Sequence, residues 1–194
     1  PDSRSDLMWT PPARRIVLNV TENDLSHAVA ERFGEAVRPE PHPADMPTFQ
    51  VEAGRVKEVL RYLKHEASPR FRRLEDLTAV DESARRNRGD APDFTLVYNL
   101  LAFDPPTRLR LKVPLRGTDP TAASITDIWP SANWYEREAY DLMGVRFDGH
   151  PNLRRLIMPE EWQGHPLRKS YPGRATEMAP YTLEDARRHQ PADA

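Results

Sequence analysis

The chain has 194 residues, a formal net charge of −2 and no cysteine. This length suits one domain with additions, and no block of Lys or Arg reaches the size of a nucleic-acid footprint. Without cysteine the chain forms neither disulfides nor thiolate-ligated iron–sulfur clusters. The longest apolar run, Leu96 to Phe103, is interrupted by Asn99 and is far shorter than the roughly 18 residues of a membrane span. Composition therefore argues against nucleic-acid binding, a disulfide scaffold and a direct membrane span.

The chain contains 20 prolines and only 38% hydrophobic residues, with a mean hydropathy of −0.75. Both values are unusual for a self-contained globule, so part of the chain is expected to be extended. We expect an extended leader over residues 1–14, an α+β core domain over residues 15–148 and a Pro-containing arm over residues 149–194 that wraps a partner.

Hydrophobic periodicity predicts a small mixed or antiparallel sheet with flanking helices, followed by the extended, loop-rich arm. The predicted elements are a strand-like Ile16 to Val20, a helix from near Asn23 to about Phe33, a strand Thr48 to Val51, a helix Arg55 to His65, a strand-like Phe71 to Val80, and paired strands Asp93 to Phe103 and Arg108 to Pro114. In the last strand apolar and basic residues alternate. Its basic face is either an ordinary solvated face or a docking surface.

The next predicted element is a short amphipathic helix. Asn133 can act as its N-cap, with Glu136 reaching back in a capping box, and Gly144 offers the left-handed residue that often ends a helix. An apolar stripe would then face the core, formed by Tyr135, Ala139, Leu142 and Met143.

Carboxylates dominate the rest of this helix. Helical spacing places Trp134, Glu138 and Asp141 on a second face, and Arg137 can pair with Asp141 four residues later. These carboxylates could form a solvated face, an acid/base pair, or an interface built around an aromatic anchor. The loops that follow favour the interface, since no nucleophile or oxyanion cradle lies nearby in the sequence.

Those loops contain a short repeated motif. Gly149, His150 and Pro151 precede Leu153, Arg154 and Arg155, and Gly164, His165 and Pro166 precede Leu167, Arg168 and Lys169. Proline restricts the backbone, so each turn is expected to present its basic pair rigidly, or else to be an ordinary surface loop. The two His lack the spacing of metal ligands, and no metal site is expected.

The segment WPSANWYEREAYDLMGVRFDGHPNLRRLIMPEEWQGHPLRKSYP, from Trp129 to Pro172, resembles the signature region of the 30 kDa, or C-type, subunit of bacterial NADH:quinone oxidoreductase, respiratory complex I. The resemblance combines ERE-x-x-D-[LM]-[MF]-G, F-x-GHP-x-LR and GHPLRK-x-YP at tight spacing. It covers about a quarter of the chain. We refer to residues 129–172 as the signature segment.

This resemblance implies a cofactor-free scaffold subunit of the peripheral arm of a proton-translocating enzyme, on the cytoplasmic side of the bacterial inner membrane. Its chief partner would be the D-type subunit, which holds the quinone site, beside neighbouring cluster-carrying subunits. Those partners would bind the iron–sulfur clusters, FMN, NAD and quinone. No catalytic residue is expected in the chain itself. The signature residues, with an expected role at the interface, are Trp134, Glu136, Arg137, Glu138, Asp141, Gly144, His150, Arg154, Arg155, His165, Arg168, Lys169 and Tyr171.

Two alternatives remain at this point: the equivalent subunit of a group 4 membrane-bound hydrogenase, and a free-standing enzyme that uses Glu136, Glu138 and Asp141 as acid and base. The polar tail after Pro172 further resembles the connector found where the 30 kDa subunit and the quinone-site subunit are fused into one polypeptide. Apart from a short helix predicted at Thr182, we expect the chain from Gly164 onward to be ordered only on a partner.

Overall fold

The computed structural model of the chain describes residues 22–40, 46–85, 89 and 91–172. The leader, the strand predicted at Ile16 to Val20 and the short helix predicted at Thr182 lie outside the described residues. The helices are α1 (Glu22–Phe33), α2 (Val56–His65) and α3 (Ala132–Met143), with 3-10 turns at Gly34–Ala36 and Ala53–Arg55. The strands are β1 (Val37–Pro39), β2 (Thr48–Val51), β3 (Arg73–Asp81), β4 (Phe94–Phe103), β5 (Pro106–Leu115), β6 (Thr121–Ala123) and β7 (Arg146–Asp148).

Five strands form one mixed sheet in the order β1-β2-β5-β4-β3. β2 runs parallel to β5, and the other neighbours in this sheet are antiparallel. The strands β6 and β7 form a separate parallel pair. The prediction of an α+β fold, with a small mixed sheet, flanking helices and a loop-rich segment behind them, is confirmed.

The central pair β4 and β5 carries most of the sheet's core face. Leu96 lies opposite Val113 and Tyr98 opposite Leu111, and all four side chains are completely buried. The turn between these strands is tighter than predicted, since β5 begins at Pro106, which pairs with Phe103. The basic residues of β5 have partners on neighbouring segments, in the pairs Arg108–Glu75, Arg110–Asn99 and Lys112–Glu40. These three basic side chains of β5 therefore have acidic or amide partners within the chain.

Helix α2 covers the sheet through a fully buried apolar stripe of Val56, Val59, Leu60 and Leu63. Burying one such side chain stabilises a fold by roughly 1.5–3 kcal/mol. On the other side of the helix, Lys57 and Arg61 both bind the Asp127 carboxylate at 2.9 Å. These pairs hold the loop between β6 and α3 against α2.

Helix α3 packs along β3, which is an edge strand of the sheet. The Tyr135 hydroxyl donates to the carbonyl oxygen of Glu75 at 2.9 Å, and the Trp129 ring N–H donates to the carbonyl oxygen of Arg72 at 3.1 Å. These bonds join α3 and the residues just before it to β3 and to the residue that precedes this strand. They fix the position of α3 on the domain.

Three strands were not predicted: β1, β6 and β7, each of three residues. A segment this short contains too few residues to show an alternating pattern. The pairing of Ala122 with Phe147 nevertheless matters, because it joins the chain before α3 to the chain after it.

Candidate functional site: helix α3 and the loops bound to it

The start of α3 differs from the prediction. The helix begins at Ala132, and the preceding Ser131 has helical dihedral angles and makes no side-chain cap. Asn133 lies inside the helix, so the capping box predicted between Asn133 and Glu136 is wrong. The Glu136 side chain instead points into the domain, where it is completely buried and accepts a 2.7 Å bond from the N–H of Ile125.

The end of α3 is as predicted. Gly144 has a left-handed conformation with φ of 73°, and its N–H donates to the carbonyl oxygen of Tyr140 at 2.8 Å. A Cβ atom at Gly144 would lie 2.4 Å from Nη2 of Arg168 and 2.6 Å from Nε2 of His165. Glycine is therefore needed both for the backbone conformation and for the close approach of two side chains.

Three of the five buried residues of α3 are charged rather than apolar. Glu136 and Asp141 are completely buried and Arg137 is 8% exposed, and the other two are Ala132 and Ala139. Within the predicted apolar stripe, Ala139 is buried, whereas Tyr135, Leu142 and Met143 are only partly buried.

The predicted second face is divided by the structure. Trp134 is 60% exposed and Glu138 is also exposed, but Asp141 is not accessible to solvent. The prediction that all three present one surface is wrong. It assumed an exposed helix, whereas the loop of residues 155–158 covers the end of α3 that carries Asp141.

Asp141 is surrounded by donors. Its Oδ2 accepts three consecutive backbone N–H groups, from Leu156 at 2.9 Å, Ile157 at 2.7 Å and Met158 at 2.9 Å. Its Oδ1 accepts a 2.7 Å bond from the Arg155 guanidinium. Burial alone would raise the pKa of Asp141, but these N–H groups and Arg155 outweigh it and hold the pKa below its usual value. Asp141 is thus an ionised carboxylate that organises the loop around it.

Arg155, rather than Arg137, is the ion-pair partner of Asp141. Besides the carboxylate, the Arg155 guanidinium binds the carbonyl oxygens of Trp162 at 2.8 Å and Gly164 at 2.9 Å. The predicted pairing of Arg137 with Asp141 is therefore wrong.

Arg137 has other acceptors. It donates to the carbonyl oxygens of Arg154 at 3.2 Å and Arg155 at 3.0 Å, and it lies 5.1 Å from the centre of the Trp134 ring. Both guanidinium groups therefore tie the loops of the signature segment that follow α3 to the helix.

The two Gly-His-Pro turns both dock on α3, one near each end. Nε2 of His150 lies 3.3 Å from the carbonyl oxygen of Asn133, and Nδ1 of His165 lies 2.9 Å from the carbonyl oxygen of Asp141. Both glycines are left-handed, with φ of 80° at Gly149 and 78° at Gly164. Burial lowers the pKa of both His residues, against the opposite effect of these hydrogen bonds. The two similar Gly-His-Pro segments of the sequence thus bind the same helix through their His side chains.

The basic pairs after these turns are split between the interior and the solvent. Arg168 donates to the carbonyl oxygens of Met143 at 2.7 Å, Thr118 at 3.0 Å and Gly144 at 3.3 Å, and so caps the C-terminus of α3. Lys169 has an exposed side chain, but its backbone N–H binds the Asp81 carboxylate at 2.8 Å. In the first pair, Arg155 faces inward while Arg154 is exposed.

The segment from Gly164 to Pro172 therefore packs on its own domain. Besides His165 and Arg168, Tyr171 contributes by stacking on Trp162, with ring centres 6.5 Å apart. This corrects the expectation that the chain is ordered only on a partner from Gly164 onward. Residues 173–194 lie outside the described residues.

Glu136 has a very different environment from Asp141. Its Oε2 has no hydrogen-bond partner among the described residues, and the closest ion-pair candidate is Nε2 of His150 at 4.0 Å. Burial raises the pKa of Glu136 to about 7, against the lowering effects of the Ile125 N–H, Ser124 and Lys57. The hydroxyl of Tyr98 is also buried and unpartnered, and the charge of Glu136 adds to burial in raising the pKa of Tyr98. Sequence reasoning missed Tyr98, although a tyrosine inside an apolar strand could have been noticed.

These contacts leave one exposed face on α3. Trp134 and Glu138 are one helical turn apart, and Leu167, which is 52% exposed, binds back to the carbonyl oxygen of Leu142 through its N–H at 3.0 Å. We call Trp134, Glu138 and Leu167 the α3 face. An acid/base enzyme would need at least two of the helix carboxylates to meet a substrate, but only Glu138 is exposed.

The described part of the chain also bears on metal binding and on membranes. It holds no group of three or more His, Asp or Glu side chains arranged for a metal ion. In the same residues no helix is long and apolar enough to cross a bilayer.

The family model for the respiratory-chain NADH dehydrogenase 30 Kd subunit matches residues 49–177, a range that includes the whole signature segment. The chain belongs to this family. It is 54% identical over 141 residues to the NADH-quinone oxidoreductase C/D subunit of Nitrosospira multiformis, covering 72% of this chain and 23% of that protein. It is 47% identical over 170 residues to the C/D subunit of Methylococcus capsulatus, covering 86% of this chain and 29% of that protein. The chain thus spans about a quarter of the length of these relatives.

Solved structures show the same fold. The chain is 28% identical to a trypsin-resistant fragment of Nqo5, with a TM-score of 0.56 that covers 66% of this chain and 98% of the fragment. A chain of the membrane-bound sulfane sulfur reductase, an archaeal respiratory membrane complex, gives a TM-score of 0.65 at 24% identity, covering 80% of this chain and 88% of that chain. This second likeness bears on the fold alone.

Proposed function

We propose that the chain is a cofactor-free scaffold subunit of the peripheral arm of a proton-translocating NADH:quinone oxidoreductase, and that it docks against the D-type, quinone-site subunit. The observation that carries this proposal is the C/D naming of its relatives, in which one polypeptide continues far beyond the region that matches this chain. The same names favour this assignment over the membrane-bound hydrogenase alternative.

The distribution of charges in the signature segment supports a scaffold role. Asp141, Arg155 and Arg168 are engaged by groups of the same chain, so they build the domain rather than receive a substrate. Their contacts hold the loops of the signature segment at defined positions on α3. A scaffold needs rigid surfaces of this kind, because an interface gains affinity when its loops are ordered before binding.

The α3 face supplies the chemistry expected of a docking surface. Trp134 offers a large aromatic ring at 60% exposure, Leu167 adds an exposed apolar side chain, and Glu138 adds a charge with no side-chain partner among the residues described here. Exposed tryptophans are over-represented among the residues that dominate interface energies. We assign the quinone-site subunit to this face, with a basic group opposite Glu138.

In this proposal electron transfer belongs to the partners. The quinone-site subunit and the neighbouring cluster-carrying subunits hold the iron–sulfur clusters, FMN, NAD and quinone, and the chain lies at the cytoplasmic side of the bacterial inner membrane. The expected partner-wrapping role of the arm falls on residues 173–194, which lie outside the described residues and resemble a connector between the two fused subunits.

Affinity capture from detergent-solubilised membranes tests the docking. The tagged wild-type chain should retain the quinone-site subunit through a high-salt wash, whereas Trp134→Ala should lose most of it because the central aromatic contact is removed. Phe103→Ala is the matched control, since Phe103 is a 56% exposed aromatic residue at the β4–β5 turn, outside the α3 face. Equal retention of that partner by all three chains would rule out the α3 face as the docking surface.

Metal and flavin analysis of the isolated chain tests the absence of a cofactor. The purified polypeptide should show no visible absorbance and no stoichiometric iron or flavin. Either group at one per chain would contradict the scaffold role.

A further inference from the structure

Three polar side chains with no place in the docking proposal lie in the interior of the domain, where Glu136 is 4.0 Å from His150 and acts electrostatically on Tyr98. Tyr98 enters from β4, Glu136 from α3, and His150 from the turn after β7. The side chains of Glu136 and His150 and the whole of Tyr98 are inaccessible to solvent. Buried polar groups are normally hydrogen-bonded, so a cluster with unsatisfied members requires an explanation.

Two atoms of this cluster lack partners. Oε1 of Glu136 accepts the N–H of Ile125 at 2.7 Å, but Oε2 has no donor among the described residues, and neither does the hydroxyl of Tyr98. A buried polar group left in this state destabilises the fold. Since a hydroxyl can donate or accept, Tyr98 can serve either protonation state of the carboxyl.

The contacts of His150 determine which of its ring nitrogens carries the hydrogen. Nδ1 accepts the backbone N–H of Asn152 at 3.0 Å, so in the neutral ring the hydrogen must be on Nε2. This Nε2–H faces the carbonyl oxygen of Asn133 at 3.3 Å and Oε2 of Glu136 at 4.0 Å. His150 is therefore a single neutral donor placed between two acceptors.

The cations around this cluster are engaged elsewhere. From α2, Lys57 and Arg61 bind Asp127, which lies in the loop between β6 and α3. On α3 itself, the Arg137 guanidinium binds backbone carbonyls of the signature segment.

An ionised Glu136 would thus be a buried charge without a paired cation, which is strongly disfavoured. Burial raises the pKa of Glu136 to about 7. The charge of Asp127 adds to this effect, whereas the Ile125 N–H, Ser124 and Lys57 oppose it. Burial and the nearby Glu136 also raise the pKa of Tyr98. Burial lowers the pKa of His150. The charge of Arg137 adds to this effect, and the hydrogen bond to Asn133 opposes it.

We propose that Tyr98, Glu136 and His150 form an internal proton-binding site, in which the Glu136 carboxyl takes up and releases one proton and the His150 Nε2–H changes acceptor in response. With the proton bound, the O–H of Glu136 turns toward the Tyr98 oxygen, and the Nε2–H of His150 remains on Asn133. When the O–H bond of Glu136 breaks, the proton passes to solvent water and the electron pair stays on the carboxylate. The hydroxyl of Tyr98 and the Nε2–H of His150 then turn toward Oε2.

This exchange links the proton to the position of the signature segment. His150 belongs to the first Gly-His-Pro turn, which leads directly to the residues that surround Asp141. A change of acceptor moves the Nε2–H of His150 from the backbone of α3 to the Glu136 side chain. The site therefore senses pH from within a scaffold rather than from an active site, and it is independent of which partner the α3 face binds.

Carbon-detected NMR of the full chain tests the proposal directly. Between roughly pH 5 and pH 9, the carboxyl carbon of Glu136 should titrate in one step centred near neutrality, starting from the shift of a protonated acid. The Nε2 nitrogen of His150 should keep its hydrogen throughout and shift with the same midpoint. A carboxylate signal already at pH 5, no step up to pH 9, or a His150 that titrates as an imidazolium would each overturn the proposal.

Two variants sharpen this test. Tyr98→Phe removes the hydroxyl while keeping the ring. Because a hydroxyl binds the ionised carboxylate more strongly than the neutral acid, the Glu136 midpoint should move to higher pH. An unchanged or lower midpoint would remove Tyr98 from the site.

Glu136→Gln should abolish the step and the associated pH dependence of unfolding. A pKa raised on folding stabilises the protein fully below the unfolded value of 4.5, and that contribution is lost as the pH rises through about 7. Relative to Glu136→Gln, the unfolding constant of the wild type should therefore rise on the order of 300-fold from a pH well below 4.5 to a pH well above 7. Glu138→Gln, an exposed change on the same helix, should follow the wild type. Parallel curves for the wild type and Glu136→Gln would contradict the site.

Discussion

Asp141 and Glu136 are two completely buried carboxyls on one helix, yet their environments are opposite. Asp141 accepts three backbone N–H groups and an arginine, whereas Glu136 accepts one N–H and leaves an oxygen unpartnered. The pKa of Asp141 is accordingly lowered and that of Glu136 raised. Burial does not by itself decide the charge of a carboxyl. The number of donors that the fold directs at it does.

The difference also separates two roles within the signature segment. Around Asp141 the chain is held by charge-assisted hydrogen bonds, which are about twice as strong as neutral ones. Around Glu136 the hydrogen bonds that favour the charged form come from the Ile125 N–H and the Ser124 side chain, and one carboxyl oxygen has no partner among the described residues, so a protonation change can be accommodated. One end of α3 is thus fixed, while the other end can respond to pH.

Replacement of the fixed carboxylate should have the largest effect. Asp141→Asn keeps the shape of the side chain but turns a buried amide NH₂ toward groups that are all donors, and it leaves Arg155 without its counter-ion. Removing one partner of a buried ion pair costs about 3–5 kcal/mol. We expect a loss of this size in the free energy of unfolding, measured by urea denaturation at neutral pH.

Glu138→Gln is the matched change on the exposed side of the same helix. It should alter the free energy of unfolding by no more than about 0.5 kcal/mol. If the two variants were equally stable, the network around Asp141 would not hold the segment in the way described.

Gly144→Ala should have the next largest effect. An L-residue in the left-handed conformation costs roughly 1–2 kcal/mol, and the added Cβ would also displace Arg168 and His165 from the end of α3, giving about 2–3 kcal/mol in total. Gly149→Ala is the control, since Gly149 has a similar φ of 80° but no atom within 4 Å of the added Cβ. Equal losses for the two variants in thermal or urea unfolding would show that the close approach at Gly144 contributes nothing.

The smallest expected effect is a difference in acid sensitivity, since only the charge-dependent part of the Asp141 contribution titrates. A carboxyl whose pKa is lowered on folding stabilises the protein above its unfolded value of 3.8, and this contribution is lost as the pH falls through the folded value. The stability difference between the wild type and Asp141→Asn should therefore be constant from neutral pH down to about pH 4 and shrink below it. A difference that stays constant under strongly acidic conditions would mean that Asp141 is not ionised in the folded protein.

Local features of the fold were predictable from the sequence. The left-handed Gly144, the buried stripe of α2 and the alternation along β5 each depend on neighbouring residues, and each was found where the pattern placed it. The parallel pairing of β2 with β5 and the three-residue strands were not predictable, because they depend on contacts between distant segments.

The contacts of the candidate site on α3 were likewise not predictable from local sequence patterns. Helical spacing offers Arg137 as the partner of Asp141, but the actual partner, Arg155, lies 14 residues away, beyond the reach of any i,i+4 rule. Glu136 reads as a capping residue because the sequence does not reveal that the N–H of Ile125 lies beneath it. The motif therefore indicated which residues matter, while their contacts followed only from the fold.

The central claim is that the signature segment serves folding and docking rather than the reaction itself. It is tested most directly by measuring, in one membrane preparation, both the amount of assembled complex and its NADH:quinone turnover for Trp134→Ala and Glu138→Gln. We predict that Trp134→Ala strongly lowers the amount of complex and Glu138→Gln lowers it less, with turnover per assembled complex unchanged in both. Full assembly with turnover abolished would contradict the account.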